Sequence, residues 1–256
     1  MIPLWAEQGQ AGFANLPGDT IAILPLGATE QHGPHMAHAV DTTLTEAVLS
    51  RVKTAAPALQ LPTLAITKSD EHMRHPGTLT LSTQTLLAML SDITASVARA
   101  GVQRLVFFNG HGGNTALLEI AARAARIDHG LICAHASWFA FADTSGIDPA
   151  TLPHDLHAGE VETSAMLATR PDLVDVDRAR NFPTAMQGWE QAGYQTGLTG
   201  QPARPGWIID DLTPDGALGN AAAATADKGT QLLDSAAKGF ARWLEDFAQF
   251  EMPNRP

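Results

Sequence analysis

"TIAILPLGATEQHGPHMAHAVDTTLTEAVLSRV", residues 20–52, decides how the whole chain is read. Its opening, TIAILPLG, is a short apolar run with the length of a buried strand. Its end, DTTLTEAVLSRV, places Leu44, Ala47, Val48 and Val52 on one helical stripe, with Asp41 at the natural N-cap position. The loop joining strand to helix carries Glu30, His32, His35 and His38, in a chain with only 10 histidines.

The alternation continues along the chain and marks an α/β protein. LPTLAIT (61–67) reads as a second strand. SDEHMRHPGTLTLS (69–82) is an irregular segment turned by Pro76–Gly77, so His72 falls on a loop. Leu86, Leu87, Leu90, Ile93 and Val97 mark an amphipathic helix over 83–100 that stops at Gly101. VQRLVFF (102–108) is a strand that runs into NGHGGNTALLEIAARAARI, a glycine-rich turn opening a helix, which puts His111 and Gly112 just past a strand end. LICAHASWF (131–139) is another strand. HAGEVETSAMLAT (157–169) is a short buried helix, 171–218 is irregular and pocket-forming, and an Ala-rich helix runs from about 220 to 249. No linker or change of composition divides residues 1–256, so one domain is expected.

Composition narrows the function. Lys plus Arg number 16 against 27 Asp plus Glu, and a net charge of -11 repels nucleic acid and anionic membrane surfaces. The single cysteine, Cys133, excludes an internal disulfide and sits in an apolar run, as a buried thiol would. No signal peptide and no apolar run of about 20 residues is visible, so a soluble cytoplasmic protein is expected.

In an open α/β sheet ligands bind beyond the C-terminal strand ends. Glu30, His32, Asp41 and His111 all map there. Glu30 and His32 are one residue apart, so an extended loop sends both side chains to the same side. Asp41 adds a carboxylate with two oxygens able to bridge two cations, and imidazole with carboxylate suits Zn, Mn or Fe better than a thiolate-seeking metal.

LPLGATEQHGPHMAHAVDT, HPGTLTLS, LVFFNGHGGN and HAGEVETSAMLA, with a fainter ALGNAAAATADKG, resemble the successive motifs of the creatininase (creatinine amidohydrolase) family, in the family's order. The resemblance implies a three-layer α/β/α sandwich with a mostly parallel sheet, a homohexamer, and two divalent metal ions per subunit at the strand ends. Carried over, Glu30, Asp41 and His111 hold one metal, while His32 and the shared Asp41 hold the other. The family's turn reads His-Tyr-Glu and that glutamate completes the second site, whereas here it is His111-Gly112-Gly113. Glu160 is expected to fill the vacancy, with Glu162 the other candidate and otherwise an orienting or proton-relaying group beside His157. His157 matches the histidine that the family uses near the reacting nitrogen. Trp138 matches an aromatic beside the substrate, and His72 and Gly112 are further substrate-lining candidates.

The expected chemistry is hydrolysis of a C–N bond in a small molecule, of amide, formamide or lactam type, with His157 protonating the leaving nitrogen. No G-x-S-x-G elbow supports a serine nucleophile. The creatinine pocket is not reproduced, because the turn tyrosine is absent and HDLH (154–157) lacks a tryptophan. Clipping of a peptide, opening of a cyclic ketone or sugar, and metal-dependent isomerase or lyase chemistry are the alternatives. A metal-binding protein without catalysis is the non-enzymatic one.

Overall fold

The computed structural model describes residues 1–253. Behind a short N-terminal helix α1 (Gln10–Phe13), four strands pair in parallel in the order β2-β1-β3-β4: β1 (Ile21–Leu26), β2 (Ala58–Gln60), β3 (Arg104–Asn109) and β4 (Ile132–Ser137). β1 and β3 are buried at every position, which is why they read as unbroken apolar runs: helices cover the sheet on both faces.

Alternate strand residues supply two separate cores. Ile21, Ile23, Val106 and Phe108 join Leu44 and Val48 of α2 (Val40–Arg51), and they share that cluster with two later helices, which contribute Val161 and Ala165, and Leu233 and Phe240. Ala22, Leu24, Leu26, Leu105 and Phe107 join Leu86, Leu90 and Val97 of α3 (Thr83–Arg99) and Leu117, Leu118 and Ala121 of α4 (Thr115–His129). The later helices of the first face are α5 (Glu160–Thr169) and the C-terminal one, which follows α6 (Ala185–Gln191) and α7 (Ile209–Leu212) and is therefore α8 (Ala226–Gln249). The result is the expected α/β/α sandwich. Each fully buried Leu or Phe contributes about 1.5–3 kcal/mol relative to an exposed one.

The topology positions the site. From β1 the chain crosses through α2 to β2 on one side, then returns through α3 to β3 on the other side of β1. The loops after β1 and β3 therefore diverge at a switch point, where an α/β sheet opens a crevice.

Several boundaries differ from the sequence reading. The second strand is Ala58–Gln60, and of 61–67 only Leu64 bridges to β1, at Leu26; Pro62 has no amide hydrogen to extend a ladder. Asp41 is not a cap: α2 starts at Val40 behind Ala39, which makes no side-chain cap bond. The last helix starts at Ala226, capped by the Thr225 hydroxyl accepting from Lys228 N at 3.3 Å. Residues 219–220 instead form β6 (Gly219–Asn220), antiparallel to β5 (Asn181–Phe182). Cys133 is half-buried, and burial pushes its thiol up to about 12. Among the described residues no helix is long and apolar enough to cross a membrane.

α8 lies close on α5, and a Cβ built at Gly229 would sit 1.9 Å from the Ser164 carbonyl oxygen. Gly229→Ala should therefore destabilise the protein by about 1–3 kcal/mol through overpacking. Gly188, in α6 with nothing within 4 Å of its built Cβ, should gain up to about 1 kcal/mol on change to alanine. Urea unfolding of the two variants measures the contrast.

Candidate metal centre

The loop after β1, the turn after β3 and the first turn of α5 meet over the switch point. Glu30, His32, Asp41, His111, His157 and Glu162 are all buried there. Three overlapping groups have ligand atoms within 4.8 Å of one another: Glu30, Asp41 and His111; His32, Asp41 and Glu162; Glu30, His32 and His157. Asp41 faces two ways. Its Oδ2 lies 3.6 Å from His111 Nδ1 and its Oδ1 3.5 Å from His32 Nε2. This inward pull explains why the aspartate sits inside the first turn of α2 and leaves the cap position to Ala39.

The donor atoms fit divalent cations. Both oxygens of Glu30, His32 Nε2 and Asp41 Oδ2 are buried without a hydrogen-bond partner among the described residues, a costly state for atoms that can serve as ligands. The imidazoles are preset by acceptors on their far sides. His32 Nδ1 donates to the Glu30 carbonyl at 3.1 Å and His111 Nε2 to the Lys68 carbonyl at 2.6 Å, which leaves His32 Nε2 and His111 Nδ1 facing the carboxylates.

Electrostatics agree that the cluster demands positive charge. Burial works against both imidazolium ions, yet Asp41 and then Glu162 hold His32 up at about 9, and Glu30 and Asp41 hold His111 up at about 10. Burial also opposes the Glu30 carboxylate, but the attraction of His111 and His32 keeps it below the usual range. Burial and the adjacent Glu30 charge push Asp41 up, and burial pushes Glu162 up to about 7. His72, lowered to about 3, and His157, lowered well below its ordinary value, are held neutral by burial and by their imidazole neighbours.

Glu160 and Glu162 separate cleanly. Glu160 is buried, but its carboxylate is bound by Lys228 Nζ and lies outside all three groups. Glu162 Oε2 lies 3.8 Å from His32 Nε2 and accepts from Ala158 N at 2.6 Å. The expectation that Glu160 completes the second group is corrected: the two glutamates are two residues apart, which turns their side chains about 200° from each other around the helix, and Glu162 is the one that lies among the donors. The vacancy at the turn has a steric cause. A Cβ at Gly113 would lie 2.3 Å from Glu71 Oε1 and 2.4 Å from His111 Nε2, so no side chain fits there.

Two features that the sequence reading missed set α5 in place. Asp155, half-buried and pushed up to about 7 by desolvation, accepts from Glu160 N at 2.6 Å and so caps the helix from outside it. Ala158 adopts a left-handed φ of 56° between His157 and the helix, at a cost of about 1–2 kcal/mol. The loop glutamate Glu71, 3.5 Å from His111 Nε2, was also unforeseen, since a lone carboxylate in an irregular segment carries no periodic signal.

The substrate-side expectations fare unevenly. Trp138 is fully buried in the apolar core and stacks on Phe139 with ring centroids 3.9 Å apart, as its position at the end of an apolar strand explains. Gly112 is exposed on the turn, with open space around it. His72 lies at the cluster, its Nε2 3.6 Å from Glu30 Oε1. His35 bonds Thr163 and His38 bonds the Pro76 carbonyl, both away from the ligand groups. A cleft of about 600 Å³, lined by Gln31, Pro34, His75, Arg178, Arg180 and Asp215, adjoins the cluster through Gln31, whose amide nitrogen is 2.8 Å from His72 Nδ1.

The family model described as Creatininase: Creatinine amidohydrolase matches residues 7–244. The creatinine amidohydrolase of Pseudomonas putida is 35% identical over 242 residues, covering 88% of each protein. The mycofactocin precursor peptide peptidase of Mycobacterium tuberculosis (strain ATCC 25618 / H37Rv) is 31% identical over 264 residues, 95% of this chain and 94% of the relative. Among solved structures, the manganese form of creatininase matches with a TM-score of 0.72 at 29% identity, over 96% of this chain and 99% of that one. A Zn–Zn type of a creatininase mutant matches with a TM-score of 0.70, also at 29% identity and over the same shares.

Three variants test the donor sets, with metal content measured after desalting. If each donor group holds one cation, Glu162→Gln should lower occupancy of one metal and Asp41→Asn should lower both. Glu160→Gln should keep both metals but lose about 1–3 kcal/mol of stability, because Lys228 is left without its buried partner.

Proposed function

The chain belongs to the creatininase family, and from that premise we propose that it is a metal-dependent hydrolase of a C–N bond. The observation that carries the reading is the pair of buried donor groups sharing Asp41, with orphaned carboxylate and imidazole atoms turned toward one another. Glu30, Asp41 and His111 would hold one divalent cation, and His32, Asp41 and Glu162 a second, with Zn, Mn or Fe the metals that suit these donors. Bound there, such cations supply Lewis acidity toward water and an acyl oxygen.

The chain's own groups do the proton work. His157 Nε2 donates to the Gln31 carbonyl at 2.8 Å, so its proton is committed there and Nδ1, 3.7 Å from Glu30 Oε1, carries the free lone pair. His157 is therefore neutral at rest, and the sequence expectation of a simple proton donor needs restating. Nδ1 takes a proton from the attacking water and returns it to the departing nitrogen, which cannot leave as an amide anion.

The substrate we favour is a small molecule of amide, formamide or lactam type, and not creatinine. Gly112 and Gly113 replace the family's Tyr-Glu, and Trp138 is buried in the core. Clipping of a peptide is the second reading. It is supported by the 31% identical peptidase and by the 600 Å³ cleft, which falls in the range that accepts ligands well above creatinine in size. A single domain, a homohexamer and a cytoplasmic location complete the proposal; sedimentation of the purified protein tests the assembly.

Turnover of a panel of formamides, lactams, short peptides and a keto-inositol, before and after chelation and metal restoration, tests the function. The expected result is amide hydrolysis that disappears on chelation and returns with zinc or manganese. Cleavage of peptides alone would establish the second reading, and a metal-loaded protein inert on the whole panel would sink both. His157→Gln should keep both metals and lower turnover of an alkylamide by about a hundredfold or more, with a much smaller loss on an activated ester.

A further inference from the structure

We propose that His72 is a catalytic residue: a neutral imidazole, locked by Gln31 with its proton on Nε2, that donates this N–H to the substrate's acyl oxygen as negative charge gathers there. The assignment rests on the hydrolase reading above and gives it an element that neither the family resemblance nor the ligand groups supply.

Four imidazoles surround the carboxylates, and three share one pattern. His32, His111 and His157 each spend a ring N–H on a main-chain carbonyl, of Glu30, Lys68 and Gln31 respectively, at 3.1, 2.6 and 2.8 Å. A carbonyl only accepts, so each, once neutral, presents a lone pair to the cluster from its other nitrogen, the form in which His32 and His111 would meet a cation.

His72 is the inverse. The Gln31 side-chain oxygen accepts from Gly33 N at 2.8 Å, which fixes which end of that amide is which. Its Nε2 then has two hydrogens, which go to the Gly216 carbonyl and His72 Nδ1, both at 2.8 Å; the third neighbour, His157 Nε2 at 3.3 Å, is itself a donor, to the Gln31 carbonyl, and takes neither. Because His72 Nδ1 accepts, the ring's proton lies on Nε2. That nitrogen faces Glu30 Oε1 at 3.6 Å, too far for a hydrogen bond, and makes none elsewhere among the described residues. Its N–H is thus aimed at the donors and unspent.

The lock is built into the backbone. Gly216 holds a left-handed φ of 71°, and a Cβ there would lie 2.4 Å from Gln31 Oε1. The His72 and His157 rings pack with centroids 4.3 Å apart, so the donor of the hydrogen bond and the carrier of the proton flank one position. Gln31 also lines the cleft, so that position stands where the cleft reaches the cluster.

The step balances without a further reactant. The water oxygen bonds to the acyl carbon, one water proton passes to His157 Nδ1, and the C=O pair moves onto the acyl oxygen, where the His72 N–H holds it. On collapse that pair returns, the C–N pair leaves with nitrogen, and His157 gives nitrogen the proton. His72 keeps its own proton throughout, as an oxyanion-stabilising donor does.

Two measurements test the proposal. In zinc-loaded protein labelled with nitrogen-15 at histidine, two-bond proton–nitrogen correlations should report His72 as the Nε2–H tautomer, and Gln31→Leu should abolish that uniform state. The Nδ1–H tautomer in the parent would overturn the assignment whether or not any substrate turns over. In kinetics on the panel substrate cleaved fastest, His72→Ala should lower kcat by about 10²–10³ with KM nearly unchanged and both metals retained, and His72→Gln should recover part of the loss. A rise in KM alone, or loss of metal, would make His72 a binding or ligand residue and remove its catalytic role. A parent inert on every amide removes the hydrolase reading, a failure read separately from the tautomer.

Discussion

Two buried carboxylates, Glu30 and Glu162, each lie within 4.8 Å of a third, Asp41, beyond the ends of β1 and β3, and the surrounding structure is organised around neutralising them. Burying even one such charge unpaired is prohibitive. Positive charge has to come from imidazolium or from cations, and His32 and His111 stand where either can serve. The consequences spread outward. α2 gives up a side-chain cap so that Asp41 can turn inward, Gly113 stays bare so that Glu71 can reach His111, and α5 is entered through a left-handed alanine so that Glu162 meets an amide hydrogen.

The sandwich was legible because its signals are local and redundant. β1 and β3 are apolar at nearly every position, and the stripes of α3 and α4 repeat at helical spacing, so pattern alone separates strand from helix. The C-terminal helix was read as starting early because the alanines of 221–223 favour helix intrinsically, while their tertiary setting makes them a short 3-10 turn behind β6. Glu30, His32, Asp41 and His111 were legible too, since motif order placed them on strand ends. The choice between Glu160 and Glu162 was not, because both occupy the first turn of α5 and only the buried partners, Lys228 for one and His32 for the other, tell them apart. Glu71 and Gln31 were invisible for a related reason: each acts through a partner far along the chain. Asp155 acts on Glu160 N, five residues on, from an irregular stretch with no periodic signal. Trp138 carried two signals, its motif position pointing to substrate and its apolar neighbours to core, and it packs in the core.

The contrast with the creatinine amidohydrolase resemblance lies at the turn after β3. There the family's pattern spends a tyrosine and a glutamate, and this chain spends two glycines. Open space surrounds Gly112, Glu71 and His111 fill the space beside Gly113, and the carboxylate of the second group comes from α5, while Gln31 ties His72 and His157 to the cleft wall. The ligand geometry and the shape of the approach are thus set by different elements, and one can change without the other.

Moving that carboxylate from the turn to α5 also changes when the two donor sets come into existence. The first set spans residues 30 to 111 and the second spans 32 to 162. Loop closure over these separations differs little in entropy, so the difference lies in the order of synthesis. A nascent chain that has passed residue 111 but not 162 owns every donor of one set and lacks the last donor of the other. The two donor groups, which share Asp41 in the finished molecule, are completed one after the other.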